Sequence, residues 1–385
     1  MSLFKKTTAG KHIAADTRKT SPVEKPASDW EEFAEIQLEK KRKKKRVWRI
    51  VLVVAAVLVL FAGIAYAVFA RYYSLLNVRK PSSEPEETIA PAAEDIRAID
   101  PEALEAAKPD ESWDFEGKDV MNILLIGVDN DDLNKLDKRG NADGLIILSI
   151  NNTTKQVVIT SLMRDLSVSV KGYYRTKLSK VYHNGGVQSL RETVEDNMNI
   201  HIDNYALFNY LDLINIIDAF GGVTLDVSIN ELYGMKDKII NLNAMLGRPL
   251  ETDQIELEDA GVMTLNGVQT VAYLRIRNTQ GVDAERTARL RKVIMQLTEK
   301  ARKMNIMELD ELATKILPSI ETDLSQKTTL LLLKNAISLL NYEFITQRIP
   351  IDGTYNYEGS AFVTMDIKKN NEYLYYTIYE GHAPD

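Results

Sequence analysis

The sequence predicts an α/β fold: a mixed central sheet flanked by helices, an α-β-α sandwich, preceded by a single transmembrane helix. Short apolar runs bounded by turn residues, such as Val120–Val128 and Gln156–Leu162, read as buried strands. They mix along the chain with longer stretches of helical period, such as Leu207–Phe220 and Glu285–Lys303. Ahead of all of them, Ile50–Ala70 runs 21 residues without a charge, enough to cross a bilayer core of roughly 30 Å.

The charge is unevenly spread. Residues 1–49 hold 14 Lys and Arg against 7 Asp and Glu, an excess of +7. The whole chain is −7, so the remainder is −14. An acidic body of this kind does not suit nucleic acid. Residues 1–30 are polar and expected to be disordered, and Glu31–Lys45 suits a charged helix. The run Lys40–Arg46 would generically suggest nuclear localisation or RNA binding. Its place directly before the apolar segment argues instead for a cytoplasmic tail, 1–49, and a signal anchor, 50–70, with the rest outside the cell membrane. A cleaved signal peptide is the alternative, but the apolar run exceeds a usual core of roughly 7–15 residues.

Residues 71–118 read as a linker. Pro81–Lys118 has five prolines and twelve Asp and Glu against three Lys and Arg, a composition that stays extended and would hold the body off the membrane. Glu102–Lys108 could form a short helix within it. With no cysteine there is no disulfide framework or Cys-based zinc site, and four scattered histidines give little to a metal site or a Ser-His-Asp triad.

The body spans 119–385. Val120–Val128 is the first strand, Asp129–Asn141 a charged loop, Asp143–Ile150 the second strand. Gln156–Leu162 is the third, and the turn Asn151–Lys155 makes the last two an antiparallel hairpin. Arg164-Asp165 follows at once. Tyr173–Gly186 reads as a loop with Arg175, Lys177 and Lys180, Val187–Met198 as a helix. In the helix Leu207–Phe220 a narrow polar ridge leaves a broad apolar surface, which suits core packing or a groove for a hydrocarbon chain. Val223–Val227 is a strand; 228–260 is uninformative. Helices follow at Glu285–Lys303, Leu309–Ile316 and Gln326–Leu340. Phe344–Ile351 is a strand, and Glu372–Glu380 reads as one.

The stretch Ala272–Arg291 holds Arg275, Arg277, Arg286, Arg289 and Arg291. Leu274 and Ile276 alternate with the first two, so a strand would set Tyr273, Arg275 and Arg277 on one face. Gly281 allows a turn, Asp283 suits a helix N-cap, and Arg286 and Arg289 then share a helix face. Such a gathering of guanidiniums matches phosphate oxygens; the plain alternative is a solvated, ion-paired surface. Asp129 and Asp143, at facing ends of two strands, add the hard oxygen ligands that Mg²⁺ takes alongside phosphates and water. Their plain alternative is turn and cap chemistry. There is no GxxxxGK[ST] and no GxGxxG.

Seven features in order carry a resemblance: the signal anchor; ILLIGVD; RGNADGLIILSIN; the strand ending at Arg164-Asp165; KLSKVYHNGG; DNYALFNYLDLINIIDAFGGVTLDV; and LNGVQTVAYLRIRNTQGVDAERTAR. The chain resembles the LytR-CpsA-Psr family of membrane-anchored bacterial proteins over roughly residues 119–300. The resemblance implies a phosphotransferase moving a glycopolymer, such as teichoic acid or capsular polysaccharide, from a polyprenyl-pyrophosphate carrier to peptidoglycan. By similarity Asp129 and Asp143 bind Mg²⁺. Arg164, Arg275, Arg277 and Arg286 grip the pyrophosphate, with Arg139, Lys177 and Arg289 near it. Asp283 is either the base or the N-cap. The family pattern has Ile-Pro where this chain has Leu162-Met163, and Gln where it has Leu290. Residues 301–385 match no motif. A non-enzymatic envelope binder or regulator of lipid-linked polymers, and a polyprenyl-pyrophosphate pyrophosphatase, are the competing functions.

Overall fold

Strands β2 (Val120–Asp129), β3 (Asn141–Asn151) and β4 (Gln156–Leu162) form the antiparallel centre of the molecule. β4 falls where its sequence placed it, and the β3–β4 hairpin closes in register Leu145↔Leu162 to Asn151↔Gln156. This computed structural model describes residues 52–79 apart from 57 and 61, 88–129 apart from 100, 107, 109–112, 114, 116 and 117, then 139–276, 282–359 and 362–384. The cytoplasmic-tail reading of 1–49 therefore lies outside the described residues.

The chain divides into Met1–Tyr66 and Ala67–Asp385. Helix α1 (Leu52–Leu75) is the one described helix long and apolar enough to cross a membrane. β1 (Asn77–Val78), α2 (Pro101–Ala106), β5 (Ser167–Val170), β6 (Tyr174–Lys177), α3 (Leu178–Met198), β7 (Asn204–Phe208) and α4 (Tyr210–Ala219) surround or follow the central strands. Then come β8 (Val223–Val227), α5 (Ile229–Met245), β9 (Gly261–Leu265), α6 (Gly267–Leu274), α7 (Val282–Lys303) and α8 (Ile306–Ile316). β10 (Glu321–Thr322), α9 (Gln326–Leu339), β11 (Glu343–Ile349), β12 (Tyr355–Glu358), β13 (Phe362–Met365) and α10 (Ile367–Tyr375) complete the order. The main sheet runs β1-β10-β7-β2-β3-β4-β11 and is mixed.

Alternation along the strands sorts side chains to the two faces. Leu124, Ile126, Leu145 and Val158 pack with Leu190 and Val194 of α3 and Leu374 of α10. Ile123, Ile146 and Ile159 pack on the other face with Leu290 and Ile294 of α7 and Leu339 of α9. These two layers make the expected α-β-α sandwich. A further core joins α4, α5, α6 and the antiparallel β8–β9 pair around Ile214, Ile239 and Tyr273.

Several expectations are corrected. The arginine strand does not exist: Gly267–Leu274 is a helix and Arg275 its C-cap. Asn266 accepts from Gln269 N while the Gln269 side chain accepts from Asn266 N, a reciprocal cap worth about 1 kcal/mol. The apolar run behind it is buried all round, a pattern that strand and helix satisfy equally. Gly267 is required there, because a Cβ would lie 2.4 Å from Ile214 O of α4.

Glu372–Glu380 is helical too. Asp366 caps α10, and Leu374, Tyr375, Ile378 and Tyr379 are buried at helical spacing. The loop reading of 173–186 gives way to β6 and the first part of α3. Gly186, at φ 72 and ψ −166, breaks α3 in two, a conformation only glycine holds without strain. The helix expected from Leu207 starts at Tyr210, after β7 and its Asn209 cap. The region 228–260 holds α5, whose Ser228–Glu231 capping box went unread.

Nor is 71–118 simply a spacer. β1 pairs with β10, Ile89 N donates to Asn184 O at 2.7 Å, and Arg97 and Arg175 exchange backbone hydrogen bonds at 2.8 and 2.9 Å. Pro101–Ala106 is the short helix expected inside it. Residues 301–385 belong to the core through β11 and α10.

Candidate functional site

β2 and β3 meet irregularly at one end. Gly127 pairs with Gly144 and Val128 with Ala142, so Asp143 is an extra residue, a β-bulge that re-aims its side chain. Asp129 faces Asn141 on the partner strand, so both carboxylates belong to this sheet end. Arg164 leaves β4 beside them, because Leu162 pairs with Leu145.

Asp143 is held from two sides. Arg164 Nη1 lies 2.7 Å from Oδ1, and Arg286 Nη2 3.0 Å from Oδ2. Arg286 Nη2 also donates to the Asp143 carbonyl at 2.7 Å. Arg275 Nη2 is 3.8 Å from Asp129 Oδ1, and its guanidinium lies 4.5 Å from the centre of the Tyr210 ring. Arg164 is further linked through Asp165, which lies 3.7 Å from its Nε and 3.4 Å from Lys177 Nζ.

α4 starts at Tyr210 and α7 at Val282, one turn before Arg286, and side chains of both line one cavity. Their far ends meet where Lys300 Nζ donates to the carbonyls of Phe220, Gly221 and Gly222 at 3.3, 3.2 and 2.7 Å. Between these helices and the sheet lies a cavity of about 220 Å³. Its walls are apolar, including Leu125, Ile146, Leu213, Ile216, Val293 and Leu297. Asp143, Arg275, Arg286 and Tyr210 line its polar end, and Leu290 lines it too.

Three buried polar atoms at that end make no hydrogen bond among the described residues: Arg275 Nη1, Arg286 Nη1 and the Tyr210 hydroxyl. A buried donor left unmade costs about 1–3 kcal/mol, so three together call for an acceptor-rich ligand. Burial, then the charges of Asp143 and Asp129, push the Tyr210 phenol up, against Arg275 and Arg286, so it stays protonated.

The structure thus brings together Asp129, Asp143, Arg164, Arg275 and Arg286. Lys177 joins only through Asp165. Arg289 braces the chain instead, donating to Ile276 O at 3.0 Å, with its guanidinium 5.8 Å from the Tyr273 ring centre. Arg291 donates to Ser161 Oγ at 2.6 Å. Arg139 stands just before β3, its carbonyl accepting from His183 Nδ1 at 2.7 Å and its Nη1 buried without a hydrogen bond among the described residues. Arg277 lies outside the described residues. Asp283 is the second residue of α7 rather than the residue before it, and its side chain lies outside the described set. Tyr273 is fully buried in the α4–α6 core, not on a face shared with Arg275. Tyr210 was missed; Asn209 and Asp212, a reciprocal cap, are the sequence signal that would have set it at the first helical position.

Among the described residues no three His, Asp or Glu side chains gather as a metal cage. Two carboxylates without nitrogen or sulfur remain a donor set that fits Mg²⁺, which completes its shell with water and phosphate oxygens.

The comparisons with known proteins bear on the whole body. "Biofilm regulatory protein A" of Streptococcus mutans is 30% identical over 225 residues, 54% of this chain and 51% of that one. "Polyisoprenyl-teichoic acid--peptidoglycan teichoic acid transferase TagU" of Enterococcus faecalis is 28% identical over 214 residues, 55% of this chain and 64% of that one. The chain thus spans between half and two thirds of these curated relatives. A solved structure described as "TagT bound to LI-WTA" superposes with a TM-score of 0.51 at 20% identity, covering 70% of this chain and 95% of that one, and so shares the fold. The LytR_cpsA_psr family model matches residues 73–377. From the last turn of α1 to just past the end of α10, therefore, the chain belongs to the LytR_cpsA_psr family.

Proposed function

We propose that the chain is a transferase that moves a glycopolymer from a polyprenyl-pyrophosphate carrier to a hydroxyl of peptidoglycan. The observation that carries this reading is the amphiphilic cavity: a long apolar wall that ends at Arg275, Arg286 and the Arg164-bound Asp143. An isoprenoid tail with a diphosphate head has that polarity. The names of the transferase relatives point the same way.

In this reading the acceptor oxygen attacks the phosphorus that carries the glycopolymer. The bond from that phosphorus to the bridging oxygen breaks, and polyprenyl phosphate leaves. Arg164, Arg275 and Arg286 are fixed before the reaction and offset the charge that builds on the leaving phosphate. Tyr210 offers a neutral O–H to a phosphate oxygen. The acceptor proton passes to a carboxylate, for which Asp283 is the candidate. Asp129 and Asp143 would hold Mg²⁺, which when bound neutralises phosphate charge. Residues 1–49 would be cytoplasmic and 71–385 outside the membrane, with α1 between them.

The name of the Streptococcus mutans relative favours a second reading, a regulatory binder of lipid-linked polymer. One experiment separates the readings: the full chain in nanodiscs, given a polyprenyl-pyrophosphate glycan and peptidoglycan, with Mg²⁺ or with chelator. Transfer expects glycan on peptidoglycan and released polyprenyl phosphate, both lost with chelator. Binding without turnover would support the regulator. Phosphate release without glycan transfer would support a pyrophosphatase.

A further inference from the structure

Residues 71–78, at and after the last turn of α1, are tied to the second half of the body. Arg71, the first charged residue after the apolar run, meets Asp310 of α8 with two hydrogen bonds, Nη1 to Oδ1 at 2.8 Å and Nη2 to Oδ2 at 3.1 Å. Its Nη2 also donates to Thr314 Oγ1 at 3.2 Å, and the Tyr72 hydroxyl donates to Asp310 Oδ1. The Tyr72 hydrogen bond, with Arg71 beside it, holds the Asp310 carboxyl below the usual carboxylate range. Farther along, Asn77 pairs with Glu321 and Val78 with Thr322.

These contacts order the two segments. Residue 71 lies beside 310 and 314, and residue 77 beside 321. Higher numbers in one match higher numbers in the other, so the start of α8 is the end toward residues 67–70. Ile306 and Met307, four and three residues before Asp310, share its helix face. Both are large, apolar and exposed, at 64% and 78%. Next to this turn an open hollow is lined by Phe220, Lys300, Lys303, Met304 and Lys315, together with Glu308 and Glu311.

We propose that the first turn of α8 rests in the outer-leaflet interface, with Ile306 and Met307 among the acyl chains and Lys303 toward lipid phosphates. Apolar side chains facing lipid and long cationic ones reaching its headgroups are what such a surface selects. The inference needs α1 to cross the bilayer but not the transfer reading. It also gives the cavity an orientation. Ile216 and Leu297, at its apolar end, stand one helical turn before Ala219 and Lys300, which line the hollow. A lipid tail would then reach the cavity from the side that touches the membrane.

The chain has no cysteine, so a single introduced thiol reports cleanly. The full chain would carry Met307→Cys, Val59→Cys in α1, or Tyr173→Cys on the β5–β6 turn, each labelled with a polarity-sensitive fluorophore. Each would be reconstituted in phosphatidylcholine–phosphatidylglycerol vesicles containing doxyl-labelled lipid. The expected result is that the labels at 59 and 307 lose most of their emission while the label at 173 keeps it. Quenching at 59 but not at 307 would overturn the α8 contact and leave the anchor standing. No quenching at 59 would overturn the membrane reading beneath it.

Discussion

Arg286 holds Asp143 at two points, through the carboxylate at 3.0 Å and through the backbone carbonyl at 2.7 Å. The second contact fixes the bulge as well as the charge, so one side chain ties α7 to the sheet end where the acids sit. Arg286→Ala should cost about 2–4 kcal/mol, since it leaves Asp143 buried with one partner fewer. It should lower transfer by about 100-fold or more. Arg286→Lys should recover most of the stability, because one nitrogen already reaches both acceptors, and little of the activity, because an ammonium has no second nitrogen to present to the ligand as Nη1 does. Denaturant titration and initial rates check both; transfer by Arg286→Lys at the parent rate would remove guanidinium geometry from the account.

The Tyr210 hydroxyl is buried without a hydrogen bond among the described residues. Tyr210→Phe deletes that unsatisfied group and should leave stability unchanged or raise it by about 1 kcal/mol. If the hydroxyl meets the ligand, KM for the donor should rise about tenfold, the same free energy seen from the bound side. A drop in melting temperature would mean the hydroxyl has a structural partner.

Leu213 lines the cavity on α4 and is only partly buried. Leu213→Trp should shorten the apolar channel without disturbing Asp143 or its arginines. Long-chain prenyl donors should lose about tenfold or more in kcat/KM while short-chain ones keep theirs, as pocket-filling changes do in other hydrophobic sites. Equal losses at both chain lengths would place the tail elsewhere.

Asp212 caps α4, accepting from Asn209 N at 2.9 Å, yet burial raises its carboxyl above the ordinary 3.8, opposed by that hydrogen bond. An acid raised on folding favours the protonated form in the folded state. Its stabilising effect is therefore full below the ordinary value and lost as pH rises through the raised folded value. Asp212→Asn keeps an acceptor for the cap and should flatten stability against pH in the interval above about 4. Denaturant midpoints measured across that interval decide it; parallel curves for the two proteins would contradict the assignment.

Legibility differed by residue. Asp129, Asp143 and Arg164 could be placed because strand ends and a tight hairpin are local features. The bulge that turns Asp143 toward two arginines could not, since it depends on register between strands. Arg275 joins the cluster, but from the end of a helix and not from a strand. The alternation around Leu274 and Ile276 suggested a strand, while the Asn266–Gln269 cap, the stronger signal, went unread. The tyrosines of 372–380 misled in the same way, because aromatic content suggested a strand where Asp366 and the 374/378 spacing specify a helix. Arg289 and Lys177 show that a shared helix face or motif does not settle which acid or carbonyl a cation finds.

β1 closes one border of the seven-stranded sheet with only two residues, and Arg79 N adds a bond to Thr322 O at 2.9 Å. A water-soluble derivative begun at the composition change near 119 would discard that border. Glu321 and Thr322 would then present open backbone to other copies, an invitation to edge-to-edge aggregation. One begun at Arg71 would keep the seal, so the start point chosen for a secreted version decides whether it stays monodisperse.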